Sequence, residues 1–169
     1  RTLAADKALF RVALGIMFFW SLGLLAQLNI DRFAAEGGAR TEAAKVPLLV
    51  SLILGVGLGS VLAGLWSGGR VELGILPLGA GGIALSSLLL FTVQGSLIQP
   101  GQAVTLAFAF ACVFLFGLGF SAGLFDIPLA AFLQDRSPGD RRGSILAASN
   151  FLSFSGMLVM SFAYLGMRT

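Results

Sequence analysis

Apolar residues along this chain come in five runs of about twenty, separated by shorter polar or charged stretches. The strands of a membrane barrel would alternate polar and apolar over about ten residues. Unbroken runs of about twenty match what a helix needs to cross a ~30 Å hydrocarbon core, where every backbone polar group must be satisfied within the segment. The pattern predicts an all-α, polytopic helical membrane protein with spans at about 9–28, 46–66, 71–93, 104–134 and 143–164.

The boundaries follow from local chemistry. The first run contains Phe18, Phe19 and Trp20, and Arg11 near its start is expected to snorkel to the interface. From Asn29 to Lys45 the sequence is polar, with Gly37-Gly38 and three acidic residues balanced by three basic ones, and is predicted as a solvated loop. The second span opens at Pro47, a residue tolerated in a first helical turn. Its Gly55-xxx-Gly59 and Ser60-xxx-Gly64 spacings are patterns that let helix backbones approach closely. The turn Ser67-Gly68-Gly69-Arg70 leads to a third span with Gly79, Gly81 and Gly82. An uncharged loop, Gln94 to Gln102, contains Pro100-Gly101. The fourth helical pattern extends for ~31 residues, or ~46 Å, longer than the hydrocarbon core, so Pro128 is expected to kink it or end it early. Gly117-Leu-Gly119-Phe-Ser-Ala122 fits a loose dinucleotide-binding pattern, but no strand precedes it and no acidic residue lies about twenty positions on. Helix packing is the better reading of those glycines.

Composition sharpens this picture. Charged residues make up 11% of the chain against about 25% in soluble domains, hydrophobic residues 57%, and mean hydropathy is +0.93, so no water-facing surface can be built. The absence of histidine removes the commonest general base and metal ligand, and a single cysteine, Cys112, excludes an internal disulfide. No enzyme activity, metal or cofactor is expected. A net charge of +3 on so few charges is read as loop topology rather than as a nucleic-acid surface. Arg1, Lys7, Arg11, Arg70, Arg136, Arg141 and Arg142 fall on one side of the five spans; Arg32, Arg40, Lys45 and Arg168 fall on the other. The first side is expected to be cytoplasmic. The chain opens on Arg1 rather than methionine and is expected to be a piece of a longer protein.

The stretch from Phe116 to Phe154 carries the chemistry. Two apolar segments flank a charged loop of Asp135, Arg136, Asp140, Arg141 and Arg142, and each holds one strongly polar group, Asp126 in the first and Asn150 in the second. An aspartate in a span costs about 2.5–3.5 kcal/mol on insertion scales and usually faces a bundle interior or a water-filled cavity. Asp126 lies eight residues from Gln134 and Asn150 eight from Arg142, so both are expected ~12 Å into the membrane from the same side. Gly119, Ala122, Gly123 and Ala130 surround Asp126 on its helix as a face of small residues, and Ser149 and Ser153 extend a polar strip around Asn150.

The turn GLGSVLAGLWSGGRVELGILPLGA, Gly57 to Ala80, resembles the loop that recurs in each half of the major facilitator superfamily. Within it SGGRVELGILPLGA, together with GLFDIPLAAFLQDRSPGDRRGSILAASNFL and the Phe18–Trp20 run, resembles the lysophospholipid transporter branch. That resemblance covers nearly the whole chain. It implies helices seven to eleven of a twelve-helix transporter, part of a C-terminal six-helix bundle whose last helix and N-terminal partner half lie outside this sequence. It also implies a bacterial inner-membrane location, a lysophospholipid substrate and, in some relatives, a fused acyltransferase with a His-x4-Asp motif. This chain has no such motif.

On this reading Asp126, Asn150, Trp20 and Gln27 are the substrate-binding candidates, and Gly64, Arg70, Glu72, Arg141 and Arg142 the gating candidates. Asp126 has three open roles: a gate paired with Arg141, Arg142 or a base in the other half, a contact to a substrate headgroup, or packing near Pro128. Asn150 is open to a helix–helix hydrogen bond or a substrate contact, and Trp20 to a cavity wall or the lipid. Arg70 and Glu72 are read as part of the loop that lets two helices slide. Alternatives to a lysophospholipid transporter are a general facilitator exporter of drugs or metabolites and a non-transporting membrane anchor for an acyltransferase.

Overall fold

The computed structural model describes residues 6–39, 41–93, 96–98 and 104–167. It is all-helical, with α1 (Lys7–Glu36), α2 (Glu42–Ser67), a 3-10 turn (Leu73–Ile75) running into α3 (Leu76–Thr92), α4 (Leu106–Arg136) and α5 (Arg142–Gly166). Five helices are long and apolar enough to cross a membrane, as in a multi-pass membrane protein. Among the described residues the only β-type pairing is an isolated bridge between Ile98 and Val104.

Two boundaries, the end of α1 and the start of α2, differ from expectation for physical reasons. The solvated loop predicted over Asn29 to Lys45 is mostly helix, because α1 continues to Glu36 and α2 starts at Glu42. Ile30 and Ala34, four residues apart, are buried, and Arg32 pairs with Glu36 one turn on, so an apolar stripe continues beneath the charges. Gly38, at φ 97°, then takes the left-handed conformation that turns the chain. Thr41 caps α2 by accepting the Ala44 N–H, which moves Pro47 from the expected first turn into the helix. The third span begins with the 3-10 turn and places Pro77 in the first turn of α3. Pro128 does not end α4, which runs 31 residues.

The chain divides into two compact units, Ile30–Pro128 and Arg1–Asn29 with Leu129–Thr169, and the division falls inside α1 and α4. In the first unit α4 meets α2 and α3 along two seams of small residues. A Cβ on Gly55 would overlap the Phe116 carbonyl, and one on Gly59 the Phe120 carbonyl. Reciprocally, a Cβ on Gly119 would overlap the Leu52 carbonyl, and one on Gly123 would come within 2.6 Å of Val56 O and Ser60 N. Residue numbers rise together across this seam, so α2 and α4 run parallel. The α3 seam is antiparallel: Gly79 faces Phe125, Gly82 faces Ser121 and Ser86 faces Gly117. Apolar burial does not drive helices together in lipid, so close backbone packing of this kind is the available cohesion.

One end of this unit is closed by a clasp. Leu97 and Ile98 both donate backbone N–H groups to Gly37 O, at 2.7 and 3.1 Å. The Thr105 hydroxyl donates to the Ser96 and Leu97 carbonyls, each at 2.9 Å. Leu97 is fully buried among Ile30, Ala34, Leu48, Phe108, Ala111 and Leu115. Pro100-Gly101, expected in this loop, lies outside the described residues.

In the second unit Met17 and Ser21 of α1 face Gly156 of α5. Leu9, Ala13, Ile16, Leu129, Leu133 and Ile145 are its buried apolar residues. The Ser137 hydroxyl donates to Leu133 O at 2.6 Å and satisfies a terminal carbonyl of α4.

Candidate functional site

Asp126 is the one acidic residue in the middle of a span. It is half-buried on α4, three residues beyond Gly123 of the α2 seam and one beyond Phe125, which packs on Gly79 of α3. Its Oδ1 is buried and has no hydrogen-bond partner among the described residues. An unmatched buried acceptor costs about 1–3 kcal/mol, and more when charged. The small residues predicted around Asp126 have separate tasks: Gly119 and Gly123 hold the α2 backbone, while Ala122 and Ala130 stay half-buried. The site is a lone carboxylate beside a seam that keeps its helix in place.

Arg141 and Arg142, two of the possible gate partners of Asp126, belong to the other compact unit. Arg141 bonds Asp140 at 3.2 Å, and Arg142 is an exposed residue that begins α5. The ion pairs Arg32–Glu36, Glu42–Lys45 and Asp140–Arg141 each join close neighbours in sequence.

Asn150 is exposed, off the buried side of α5. The inward face of α5 is Ile145, Ser149 and Ser153, at spacings of four, and Asn150 is ~100° away from Ser149. Ser149 and Ser153 point inward, and the Ser153 hydroxyl is buried with no partner among the described residues. Asn150 belongs instead to the edge of a face carrying Phe151, Phe154, Leu158 and Phe162, all exposed.

Trp20 and Gln27 are seven residues apart, on one face of α1. Trp20 is 46% exposed although Ala13 and Ile16, on the same side of the helix, are buried. Its ring packs edge-on against Phe19, with centroids 5.8 Å apart. Gln27 is half-buried. Trp20, Gln27 and Asn150 belong to one compact unit and Asp126 to the other.

Among the gating candidates, Gly64 is exposed with open space where a Cβ would stand, so the Ser60-xxx-Gly64 packing is not formed on that side. The α2 seam ends instead at Gly59, Ser60 and Ala63. Arg70 and Glu72 are exposed in the turn after α2, where Gly68 and Gly69 have φ of 51° and 79°. That turn is held by Gly68 N–H to Leu65 O and Arg70 N–H to Ser67 O.

An open groove of about 420 Å³ lined by Thr92, Val93, Leu106, Ala107, Phe110 and Phe114 lies at the far end of α4. Phe114 is twelve residues, ~18 Å, from Asp126. The Thr92 hydroxyl donates to Leu89 O, and the other lining side chains are apolar.

No family model, curated protein or solved structure matches this chain. Functional meaning therefore has to come from the intramembrane groups themselves. Sequence reasoning overlooked the Leu97 clasp. Its available signal was a pair of apolar residues, Leu97-Ile98, in an uncharged loop, together with Gly37-Gly38 in the loop they bind.

Proposed function

We propose that this chain is part of a membrane transporter of the major facilitator type that moves a lysophospholipid across or between the leaflets of a bacterial inner membrane. The observation that carries this reading is the buried, unpartnered Oδ1 of Asp126 within an apolar span. Such a group persists at a cost unless it is used, and intramembrane acids are found where ions, headgroups or gates must be engaged. A lysophosphatidylethanolamine brings one ammonium for such a carboxylate and one acyl chain for an apolar path. The resemblance of Gly57–Ala80 and Gly123–Leu152 to lysophospholipid transporters points the same way. Alternating access between two bundles would expose the site to either side.

The test is uptake of labelled lysophosphatidylethanolamine into vesicles by the full-length protein that contains this chain, with Asp126→Asn beside it. If Asp126 holds the headgroup, the variant binds the ethanolamine lysolipid about tenfold to hundredfold more weakly, the equivalent of an ionic hydrogen bond of about 1.5–3 kcal/mol. Binding of a lysolipid without positive charge then stays at the wild-type level. If Asp126 pairs with a base to close a gate, binding of both lipids is retained and transport slows. Wild-type values in all three measurements overturn both roles. Uptake of unrelated amphipathic cations with no lysolipid uptake selects the general exporter, and uptake of neither selects a membrane anchor for an acyltransferase.

A further inference from the structure

The two membrane faces of this chain treat their basic residues differently. On the face where α1 ends and α2 begins, the described bases Arg32 and Lys45 are each bonded to an acid on their own helix, Glu36 at 2.6 Å and Glu42 at 2.9 Å. On the face where α1 begins and α4 ends, Lys7, Arg11, Arg136, Arg141 and Arg142 are all exposed and belong to one compact unit. Two of the three acids near them in sequence are already engaged. Asp6 caps α1 by accepting the Ala8 and Leu9 N–H groups, and Asp140 bonds Arg141 in a pair whose side chains are 70% and 62% exposed. That pair is about as exposed as Arg32–Glu36 and contributes as little, so the difference between the faces is carried by Lys7, Arg11, Arg136 and Arg142, which form no ion pair among the described residues.

Arg136, Arg141 and Arg142 are concentrated on the α4–α5 loop. The Arg136 guanidinium sits 5.6 Å over the Phe132 ring, one turn back along α4, which holds the charge against the last turn of that helix. Arg142 opens α5, and no acidic residue stands in the first turn of that helix to neutralise it. Arginine at a helix start opposes the helix dipole, so its charge here is not explained by helix stability.

We propose that the α4–α5 loop, with Arg136, Arg141 and Arg142, is a docking surface for the headgroup phosphate of anionic phospholipids in the adjoining leaflet. Lipid preference at this surface can be observed without transport. Exposed arginines at the membrane surface favour anionic lipid by about fivefold in partition per residue at most, and the attraction falls with salt over a Debye length.

The full chain is reconstituted in phosphatidylcholine vesicles, and its preference for spin-labelled phosphatidylglycerol over spin-labelled phosphatidylcholine is measured. The wild type is expected to prefer phosphatidylglycerol, and 0.5 M salt to remove most of that preference. The triple variant Arg136→Gln, Arg141→Gln, Arg142→Gln should lose on the order of tenfold, the corresponding Lys triple variant should retain most of it, and Arg32→Gln with Lys45→Gln should retain all of it. Circular dichroism of each variant confirms that the helices persist. The proposal is overturned if the Gln triple keeps the wild-type preference, if the Arg32/Lys45 variant loses as much, or if salt has no effect. Displacement of phosphatidylglycerol by millimolar inorganic phosphate would also overturn it, by marking a site for a soluble anion instead.

Discussion

Within the unit Ile30–Pro128, α2 and α4 meet backbone to backbone, whereas in the unit built from Arg1–Asn29 and Leu129–Thr169 the small-residue contact between α1 and α5 runs through side chains. Gly55, Gly59, Gly119 and Gly123 each face a carbonyl or amide of the neighbouring helix, and such groups cannot move without moving the helix. Gly156 faces the Ser21 hydroxyl and the Met17 side chain, and methionine rearranges at low cost. Both contacts place a small residue at a crossing, yet they differ in how much of the structure must yield when the space is filled. The orphaned carboxylate of Asp126 follows the rigid seam, so its position is set by backbone.

The comparison breaks most sharply at Gly59 and Gly123. Gly59→Leu or Gly123→Leu forces α2 and α4 apart, with a cost at or above the ~3 kcal/mol reached by ordinary overpacking. Loss of the monodisperse folded species in detergent, followed by fluorescence-detected size exclusion over a temperature ramp, is the expected outcome. Gly64→Leu, five residues along the same helix in open space, should behave as wild type. Equal sensitivity at Gly59 and Gly64 would mean the seam is not where α2 and α4 meet.

A second break separates the clasp from the seam. Leu97 is fully buried against the core and its loop is tied to Gly37 by two backbone hydrogen bonds. Leu97→Ala leaves a cavity there, at a cost of about 2–5 kcal/mol, while leaving those bonds in place. The melting temperature should fall clearly, and Ile98→Ala, at a half-buried neighbour, should fall less. A Leu97→Ala protein as stable as wild type would show that the loop only rests on the unit.

What the sequence made legible was whatever depends on one helix alone. The five spans follow from run length, and Gly55-xxx-Gly59 and Gly117/Gly119 from spacing, and all four glycines pack in the structure. What stayed hidden depends on which direction a helix faces. Ser149 and Asn150 are adjacent and both polar, and only the neighbouring helices decide that the serine turns in and the amide out. The end of α1 was hidden because Asp31, Arg32 and Glu36 look like a loop until Ile30 and Ala34 are seen to share a buried stripe. Gly64 carries the same spacing as Gly59, but α4 does not reach it. For the candidate site, the position of Asp126 within a span was readable, whereas its lack of a partner was not.

The smallest expected effect falls at Gly156, where the comparison is decided by flexibility. A Cβ there would lie 2.5 Å from Ser21 Oγ and 2.6 Å from Met17 Cγ, both closer than real side chains tolerate. Neither neighbour is backbone. The Ser21 hydroxyl is bonded to Met17 O at 2.7 Å within its own turn, and a rotamer change breaks only that bond, worth about 0.5–1.5 kcal/mol. The Met17 chain has three rotatable bonds with which to move away. Against this, alanine in mid-helix removes the glycine penalty of about 0.5–1 kcal/mol. Gly156→Ala should therefore change stability by less than about 1 kcal/mol, and Gly156→Ala combined with Ser21→Ala should be at least as stable as wild type, since the second change removes the nearer clash. Thermal unfolding of the two variants beside Gly59→Ala is the measurement. If Gly156→Ala costs as much as Gly59→Ala, side chains at the α1–α5 contact are as immobile as backbone, and the distinction between the two units fails.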